Sequence, residues 1–587
     1  MTIDDKLTSG IHAQRAGNLD AAEAVYRGIL ASEPEHPDAL HLLGVILHQR
    51  KRSAEGAVFI LRAISAAPNC ADFHANLGIV LRAQGELTSA EASFQRALQL
   101  NPDHVEAHNN LGIALRSQGK LTAAIACLQR ALQLKPDHAE AHNNLGNALK
   151  EQGKLDEAVA SYQHVLRLKP DLADAHNNLA AVRKEQGKLD EAIAGWQSAV
   201  QINPDFAEAH NNLGKALKSL ERLDEALASI HRALELAPDC ADAHLNLGSV
   251  LADQGKLQQA ITSYRRALSL EPDSAEAHMS CGMAQLTLGD FQQGWAEYEW
   301  RVKTEKATSR EFAQPRWDGA CVPDKALLIH TEQGLGDTLQ FIRFATLARQ
   351  RVGRVVVLCQ EVLRPLLSSV AGVDALVTEA DDLPEFDFHL PLLSFPAVFC
   401  TQPETIPAQV PYLTADRSLV QRWRSRLKGL NGFRVGISWQ GNPEYRLDRV
   451  RSMPLLHFAR LAELQPVQLI SLQKGPGVDQ IERVRGQFEV FEPGAEFDES
   501  SGAFVDSAAV MQNLDLFVTS DTAAAHLAGA LGITVWVALP IVPDWRWQLD
   551  RTDCPWYPTM RLFRQRQRGD WDDVFQRMRD ALRDRIT

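Results

Sequence analysis

Long apolar runs are missing from this 587-residue chain: the longest, from Leu531 to Val542, spans 12 residues, short of the ~20 that cross a bilayer. The opening MTIDDKLTSG has no basic segment ahead of an apolar one, so neither a membrane span nor a signal peptide is expected. Cysteine is scarce and scattered. The eight residues, at 70, 127, 240, 281, 321, 359, 400 and 554, form no CxxC pair, which argues against a disulfide scaffold or zinc site and fits a reducing, cytoplasmic compartment. Basic charge is in deficit, with 61 Lys and Arg against 74 Asp and Glu for a net charge of −13. No dense basic stripe offsets it, so nucleic acid is not an expected partner. HExxH, GxSxG and the phosphate-loop pattern GxxxxGKS/T are absent too, and Asp381-Asp382 and Asp572-Asp573 read as polar loops without a strand before them. No metal-binding DxD and no bound cofactor are expected.

What is present is ordinary folded composition, 45% apolar and 23% charged, in a chain long enough for roughly three to five domains. Prolines stand at 34, 68, 102, 136, 170, 204, 238 and 272, a period of 34 without a slip, which is the signature of tetratricopeptide repeats. Units starting at 3, 37, 71, 105, 139, 173, 207, 241 and 275 make nine repeats, typified by AEAHNNLGNALKEQGKLDEAVASYQHVLRLKPD. Each reads as a helical hairpin that cannot bury its apolar faces alone, so residues 1–300 are expected to stack into an α-solenoid superhelix with a concave groove. The small residue after Leu111, Leu145 and Leu213 is Gly112, Gly146 and Gly214, which lets the partner helix approach closely. The ninth unit ends in aromatic-rich FQQGWAEYEWR, as a cap or junction should.

Two ladders run through the repeats. Histidines 74, 108, 142, 176, 210, 244 and 278 hold the fourth position. They read as packing between the helices rather than as metal ligands, because stacked helices lie ~8–10 Å apart. Asn76, Asn110, Asn144, Asn178, Asn212 and Asn246 lie on the first helix, the groove-lining one in this architecture. Asparagine costs several tenths of a kcal/mol against alanine in a helix, and six repetitions ask for a reason. A carboxamide both donates and accepts, so it can hold the backbone of an extended peptide whatever its side chains. The bland alternative is that the amides bond only to each other or are passive copies of a duplication. The arrangement over residues 37 to 290 resembles the asparagine ladder of protein O-GlcNAc transferases, and that resemblance implies a protein acceptor and sugar chemistry downstream.

Beyond Gln314 the period stops. ALLIH (326–330), RVVVLC (354–359), RVGISW (434–439), QLISLQ (468–473), LDLFVT (514–519) and TVWVAL (534–539) read as buried parallel strands separated by helices. The expected layout is a junction over 301–321, a first Rossmann-like unit over 322–415, a linker helix over 416–432 and a second Rossmann-like unit over 433–587. Two such α/β units face each other in the GT-B architecture, with the site in the cleft.

Three motifs carry candidate chemistry. TEQGLGDTLQFIRF (331–344) follows a strand and opens a helix; Gly334 and Gly336 permit a tight turn that brings Asp337 into the crevice as a possible proton acceptor, or simply as a helix cap. SDTAAAHLAGALG (520–532) joins another strand to a helix. Its Thr522, Ala523 and Ala524 amides offer a seat for phosphate and His526 lies one turn on, unless Ser520 or Asp521 merely caps and His526 packs inside. RVGISWQGNPEYRLDRVRSMP (434–454) brings Arg446, Arg449 and Arg451 to a loop where guanidinium groups can bond two diphosphate oxygens, or else stand solvated. Lys474 in LQKGPG sits in a further anion-friendly turn.

Taken in order over 322–587, these motifs resemble the glycosyltransferase family 9 group, which includes the ADP-heptose heptosyltransferases, and specifically its tetratricopeptide-fused bacterial members. The resemblance implies an inverting, metal-independent GT-B transferase using a nucleotide sugar. Asp337 matches the base of the family's GD loop, Arg451 the basic residue before its Trp-Pro, and Asp521, Thr522 and His526 its DTGxxHL donor turn. Ala523 replaces the usual glycine there, and the first α/β unit is shorter than usual. PDWRWQLDRTDCPWYPTMRLF (543–563) fits the fused members better than the heptosyltransferases. Analogy with repeat-fused bacterial transferases makes flagellin or another surface protein the expected acceptor. The competing readings are a non-catalytic repeat scaffold with a degenerate transferase domain, and an enzyme acting on a lipid-linked glycan, which leaves the asparagine ladder unexplained.

Overall fold

A computed structural model describes residues 2–304, 310–445, 448–499 and 502–586. The chain forms two compact units, 1–238 and 239–587.

The first unit is a solenoid of antiparallel hairpins running from helix Ile3–Arg15 to helix Leu223–Leu236. Each hairpin pairs a shorter with a slightly longer helix, as in Ala139–Glu151 and Leu155–Leu168. Between them the chain turns at Gly153, whose φ of 79° favours glycine. The second helix stops before Pro170, which has no N–H to continue the ladder. His176 then bonds the carbonyl of Pro170 through Nε2 at 2.9 Å. The same bond recurs at His74, His108, His142, His210 and, in the second unit, His278, each to the proline six residues earlier, at 2.8–3.0 Å. The histidine ladder therefore pins the inter-repeat turn, beyond filling space between helices.

Close approach explains the small residue of each first helix. A Cβ on Gly146 would stand 2.7 Å from the Tyr162 ring. In the next repeat that position is Ala180, and the added methyl is matched by Gly195, whose own Cβ would lie 2.9 Å from that of Ala180. The smaller residue has moved across the interface, with Trp196 fully packed beside it.

In the second unit four more repeat helices, Ala241–Asp253 to Phe291–Tyr298, lead into two parallel sheets. The first contains β1 (Val322–His330), β2 (Val352–Leu358), β3 (Ala375–Val377) and β4 (Phe388–Pro391), in the order β3-β2-β1-β4. The second contains β5 (Phe433–Ser438), β6 (Val467–Ser471), β7 (Val490–Phe491), β8 (Leu516–Ser520), β9 (Val535–Leu539) and β10 (Met560–Arg564), in the order β10-β9-β8-β5-β6-β7. The region is α/β. Central strands are apolar on both faces because helices cover both: β8 and β9 are buried at every residue. The short β3, β4 and β7, and the arginine-interrupted β10, lack that signal and were not anticipated. Helix Arg417–Arg426 spans the expected linker and is tied down by Trp423, whose indole donates to Asp506 at 2.6 Å.

One apolar core joins both sheets to the last repeat. Phe291, Trp295 and Tyr298 pack with Phe341, Trp545 and Trp556. The Trp295 and Trp545 rings meet edge to face at 5.2 Å, and the Trp295 indole donates to the Thr401 carbonyl at 2.9 Å. Such ring pairs add roughly 0.5–1.5 kcal/mol beyond area burial, so the aromatic end of the ninth repeat welds that repeat to the sheets.

Candidate functional site

Strand order locates the crevices. β1 connects outward through β2 and β3 before the chain returns to its other side as β4; β5 likewise precedes β6 and β7 before β8 returns beside it. Reversal points of this kind open a crevice at the carboxyl ends of the strands. The helix opening after β1, Leu335–Phe341, carries Asp337, the short helix Asp448–Arg451 after β5 carries Arg451, and the turn after β8 holds Asp521 and Thr522. The loops from the two sheets meet: a Cβ on Gly336 would stand 3.4 Å from the Cα of Ala523 and 3.1 Å from the His526 ring. Glycine at 336 is what allows that approach, and Gln333, at φ 58°, takes the left-handed strain of the same turn.

Asp337 has two jobs here. One carboxylate oxygen accepts from the Gly334 N–H at 2.9 Å, the helix-cap contact; the other is ion-paired with Arg546. Arg546 is held on every side. Its Nη1 reaches Asp544 at 2.8 Å, its Nε donates to Gln340 at 2.6 Å, and its guanidinium lies 4.4 Å from the Trp545 ring. Burial raises the Asp337 pKa above the ordinary carboxylate value, opposed first by Arg546 and then by the Gly334 hydrogen bond. The side chain retains 17% exposure. Neither Arg546 nor Asp544 was singled out from sequence. The available signal was their place in the loop directly after β9, at the same sheet edge.

Asp521 is half-buried, and burial, then repulsion from Asp544, lifts its pKa to about 6 against the pull of Arg451. Arg451 lies 4.5 Å over the half-exposed Tyr445 ring and contacts Asp448 at 3.3 Å. Arg449 shares its short helix, Asp448–Arg451, and Arg446 falls outside the described residues. Helix Ala523–Ala530 starts at Thr522 without a side-chain cap, and the Ser520 hydroxyl is buried without a partner. His526 is deeper than a ligand-facing residue would be. Its Nδ1 is 3.1 Å from the Tyr557 hydroxyl and its ring stacks on Trp547, while burial and the nearby Arg546 push its pKa far down and keep it neutral. Lys474 is not brought to the group. Its ammonium bonds the carbonyls of Phe497 and Asp498 at 2.9 and 2.7 Å and the carboxylate of Glu499 at 2.8 Å, which spends its three donors on bracing a loop. Two open hollows, of about 720 Å³ beside Pro323 and Gly353 and about 360 Å³ beside Pro365 and Leu419, include none of these residues.

The asparagine ladder is more internally bonded than a free ligand surface. Asn144 donates to Asn109 at 3.0 Å, Asn178 to Asn143 at 3.2 Å and Asn212 to Asn177 at 3.2 Å, each the preceding repeat's first asparagine. Asn76 reaches His41 at 2.8 Å, Asn110 bonds the Glu106 carbonyl at 2.9 Å and Asn246 is 3.3 Å from Asp242. Asn110 and Asn246 are buried; Asn144, Asn178 and Asn212 are half-buried. Asn109, Asn143 and Asn177, each the first asparagine of a His-Asn-Asn triplet and not identified from sequence, are the acceptors that orient the second asparagine of the following repeat.

Comparison with known proteins places the repeats. A TPR-repeat family model matches residues 78–116, 112–153, 146–187, 182–221 and 248–289, and a second tetratricopeptide-repeat model matches 7–71 and 211–268. The chain carries tetratricopeptide repeats, an architecture whose stacked hairpins serve protein interaction. Protein FlbA of Caulobacter vibrioides is 27% identical over 314 residues, 49% of this chain and 52% of FlbA, so the chain spans about half the length of that curated relative. Among solved structures, the APC/C hetero-tetramer Cut9-Hcn1 aligns with a TM-score of 0.40 at 19% identity over 48% of this chain and 55% of that one. YrrB, a TPR protein with an unusual peptide-binding site, aligns with a TM-score of 0.27 at 27% identity over 31% and 95%. Among the described residues no helix is long and apolar enough to cross a membrane.

Proposed function

We propose that the chain is a cytoplasmic, metal-independent inverting glycosyltransferase of GT-B type that moves a sugar from a nucleotide-sugar donor to a protein acceptor held by the repeats, flagellin or another surface protein being the acceptor class. The observation that carries this reading is the meeting of Gly336 with Ala523, which brings Asp337 of one sheet to the uncapped helix start of the other, where Asp521 feels the charge of Arg451. In the reaction the acceptor hydroxyl oxygen bonds the anomeric carbon as its proton passes to Asp337. The bond from that carbon to the phosphate oxygen breaks, and the nucleoside diphosphate leaves with the electron pair. Arg451 and the amides of Ala523 and Ala524 offset its charge. Lys474 steadies the neighbouring loop. The half-buried Asn144, Asn178 and Asn212 each donate one amide hydrogen to the preceding repeat and keep their other polar capacity for the acceptor backbone.

The ion pair of Asp337 with Arg546 favours a second reading, a repeat scaffold whose α/β region is structural, because it gives the carboxylate a stabilising partner without catalysis. Thermal melts of the full chain with a panel of nucleotide sugars, followed by intact-mass measurement of co-expressed acceptors, separate the two. Donor-dependent stabilisation with added sugar mass is the expected result. No stabilisation and no mass gain across the panel would leave the scaffold.

A further inference from the structure

Arg546 connects two of the cluster's three carboxylates, Asp337 and Asp544, and its geometry is fixed by more than charge. All three guanidinium nitrogens are engaged, with Asp337, Asp544 and Gln340, and the flat face rests on Trp545. Its side chain is 8% exposed, so the pair works in a poorly screened environment. Asp337 and Gln340 lie on helix Leu335–Phe341 of the first sheet, whereas Asp544 and Arg546 follow β9 of the second, so this one side chain also ties the two sheet edges together.

We propose that Arg546 is the positioning residue of the site: gripping Asp337 with one nitrogen and Asp544 with another, it aims the Asp337 carboxylate and balances its charge against that of Asp544. The catalytic consequence rests on the assignment of Asp337 as base; the positioning itself does not. Among the described residues, charged and titratable groups on several elements bear on Asp337. Arg546 and, at longer range, Arg301 favour its ionised form, and Asp544 opposes it. Tyr298 shares the same surroundings with its proton held by burial, and His526 across Gly336 is neutral. Removing Arg546 and removing Asp544 must therefore move Asp337 in opposite directions, which general loosening of the fold would not do.

The test uses the full chain and needs no sugar donor. Carbodiimide-driven amidation of Asp337 with glycinamide is followed across pH by peptide mass spectrometry in the parent, Arg546→Gln, Arg546→Lys and Asp544→Asn. The expected labelling midpoint rises by about one pH unit or more in Arg546→Gln, about tenfold in proton affinity, falls in Asp544→Asn, and is restored close to the parent by Arg546→Lys. An unchanged midpoint in Arg546→Gln, or shifts of the same sign in the Gln and Asn variants, overturns the proposal. Should Arg546→Gln fail to fold, the Lys and Asn variants decide it, since Asp544→Asn must still lower the midpoint. In the transferase assay the acid limb of the pH profile should track the labelling midpoint. Opposite labelling shifts without transfer in any form would uphold the positioning role and remove the base assignment.

Discussion

Asp337 and Arg546 lie 209 residues apart in sequence and form a partly buried ion pair across the edges of two sheets. Asp544 shares the guanidinium and Asp521 lies close enough to feel its charge, so three carboxylates are set against Arg546 and Arg451. Burial first, and repulsion from Asp544 after it, explain why both Asp337 and Asp521 hold protons more tightly than exposed aspartates. The burden of meeting an incoming phosphate falls on Arg451 and the helix start, because Arg546 is already committed.

Asp337→Asn preserves size and can still accept from Gly334, but it cannot take a proton from a hydroxyl. The variant is expected to fold and bind donor while sugar transfer falls by ~10²–10⁴. Intact-mass analysis of the acceptor checks this, and equal glycosylation with Asn at 337 would remove Asp337 as the base.

Asp521 supplies a pH test of stability. Its folded pKa, about 6, stands above the ordinary value of 3.8, so the native state binds its proton more tightly than the unfolded chain. The stabilisation from that proton is complete below about pH 4 and is lost as pH rises through about 6. Asp521→Asn, which stays neutral, should therefore flatten the rise in melting temperature seen on acidifying from pH 7 to 4. Parallel melting curves for the two proteins over that window would contradict the burial of this carboxylate.

Replacing Asn144, Asn178 and Asn212 together by alanine removes three hydrogen bonds between repeats, worth ~0.5–1.5 kcal/mol each, and returns several tenths per site in helix propensity. A modest fall in melting temperature is expected, with helicity by circular dichroism unchanged and weaker binding of an unstructured acceptor segment. Calorimetry showing parental affinity for a verified acceptor would assign the ladder to repeat stacking alone.

The exchange of small residues between Ala180 and Gly195 predicts a coupled pair. Gly195→Ala alone should overpack the interface and destabilise by ~1–3 kcal/mol. Adding Ala180→Gly restores the arrangement of the neighbouring repeats, so the double variant should melt closer to the parent. Additive losses in chemical denaturation would show that the two methyl positions do not compete for the same space.

Local pattern carried far in this chain. The period of 34, the glycine opposite Tyr162, the six long strands and the loops bearing Asp337, Arg451 and Thr522 are written in runs of contiguous residues, because helix pairing and strand burial depend on neighbours in sequence. β10 escaped notice for the converse reason: Arg561 and Arg564 interrupt the apolar run of an outer strand paired on one side only.

Partner choice is where tertiary structure decided. Lys474 in a glycine turn and Lys474 bonded to residues 497–499 have the same local sequence, and nothing around His526 announces Tyr557 and Trp547 as its neighbours. The sequence by itself determined the repeats, the parallel strands and which loops leave the carboxyl edges. Which charges face one another across those edges followed only from the packing of one sheet against the other, since an ion pair needs proximity in space and residues 337 and 546 are close in no other sense.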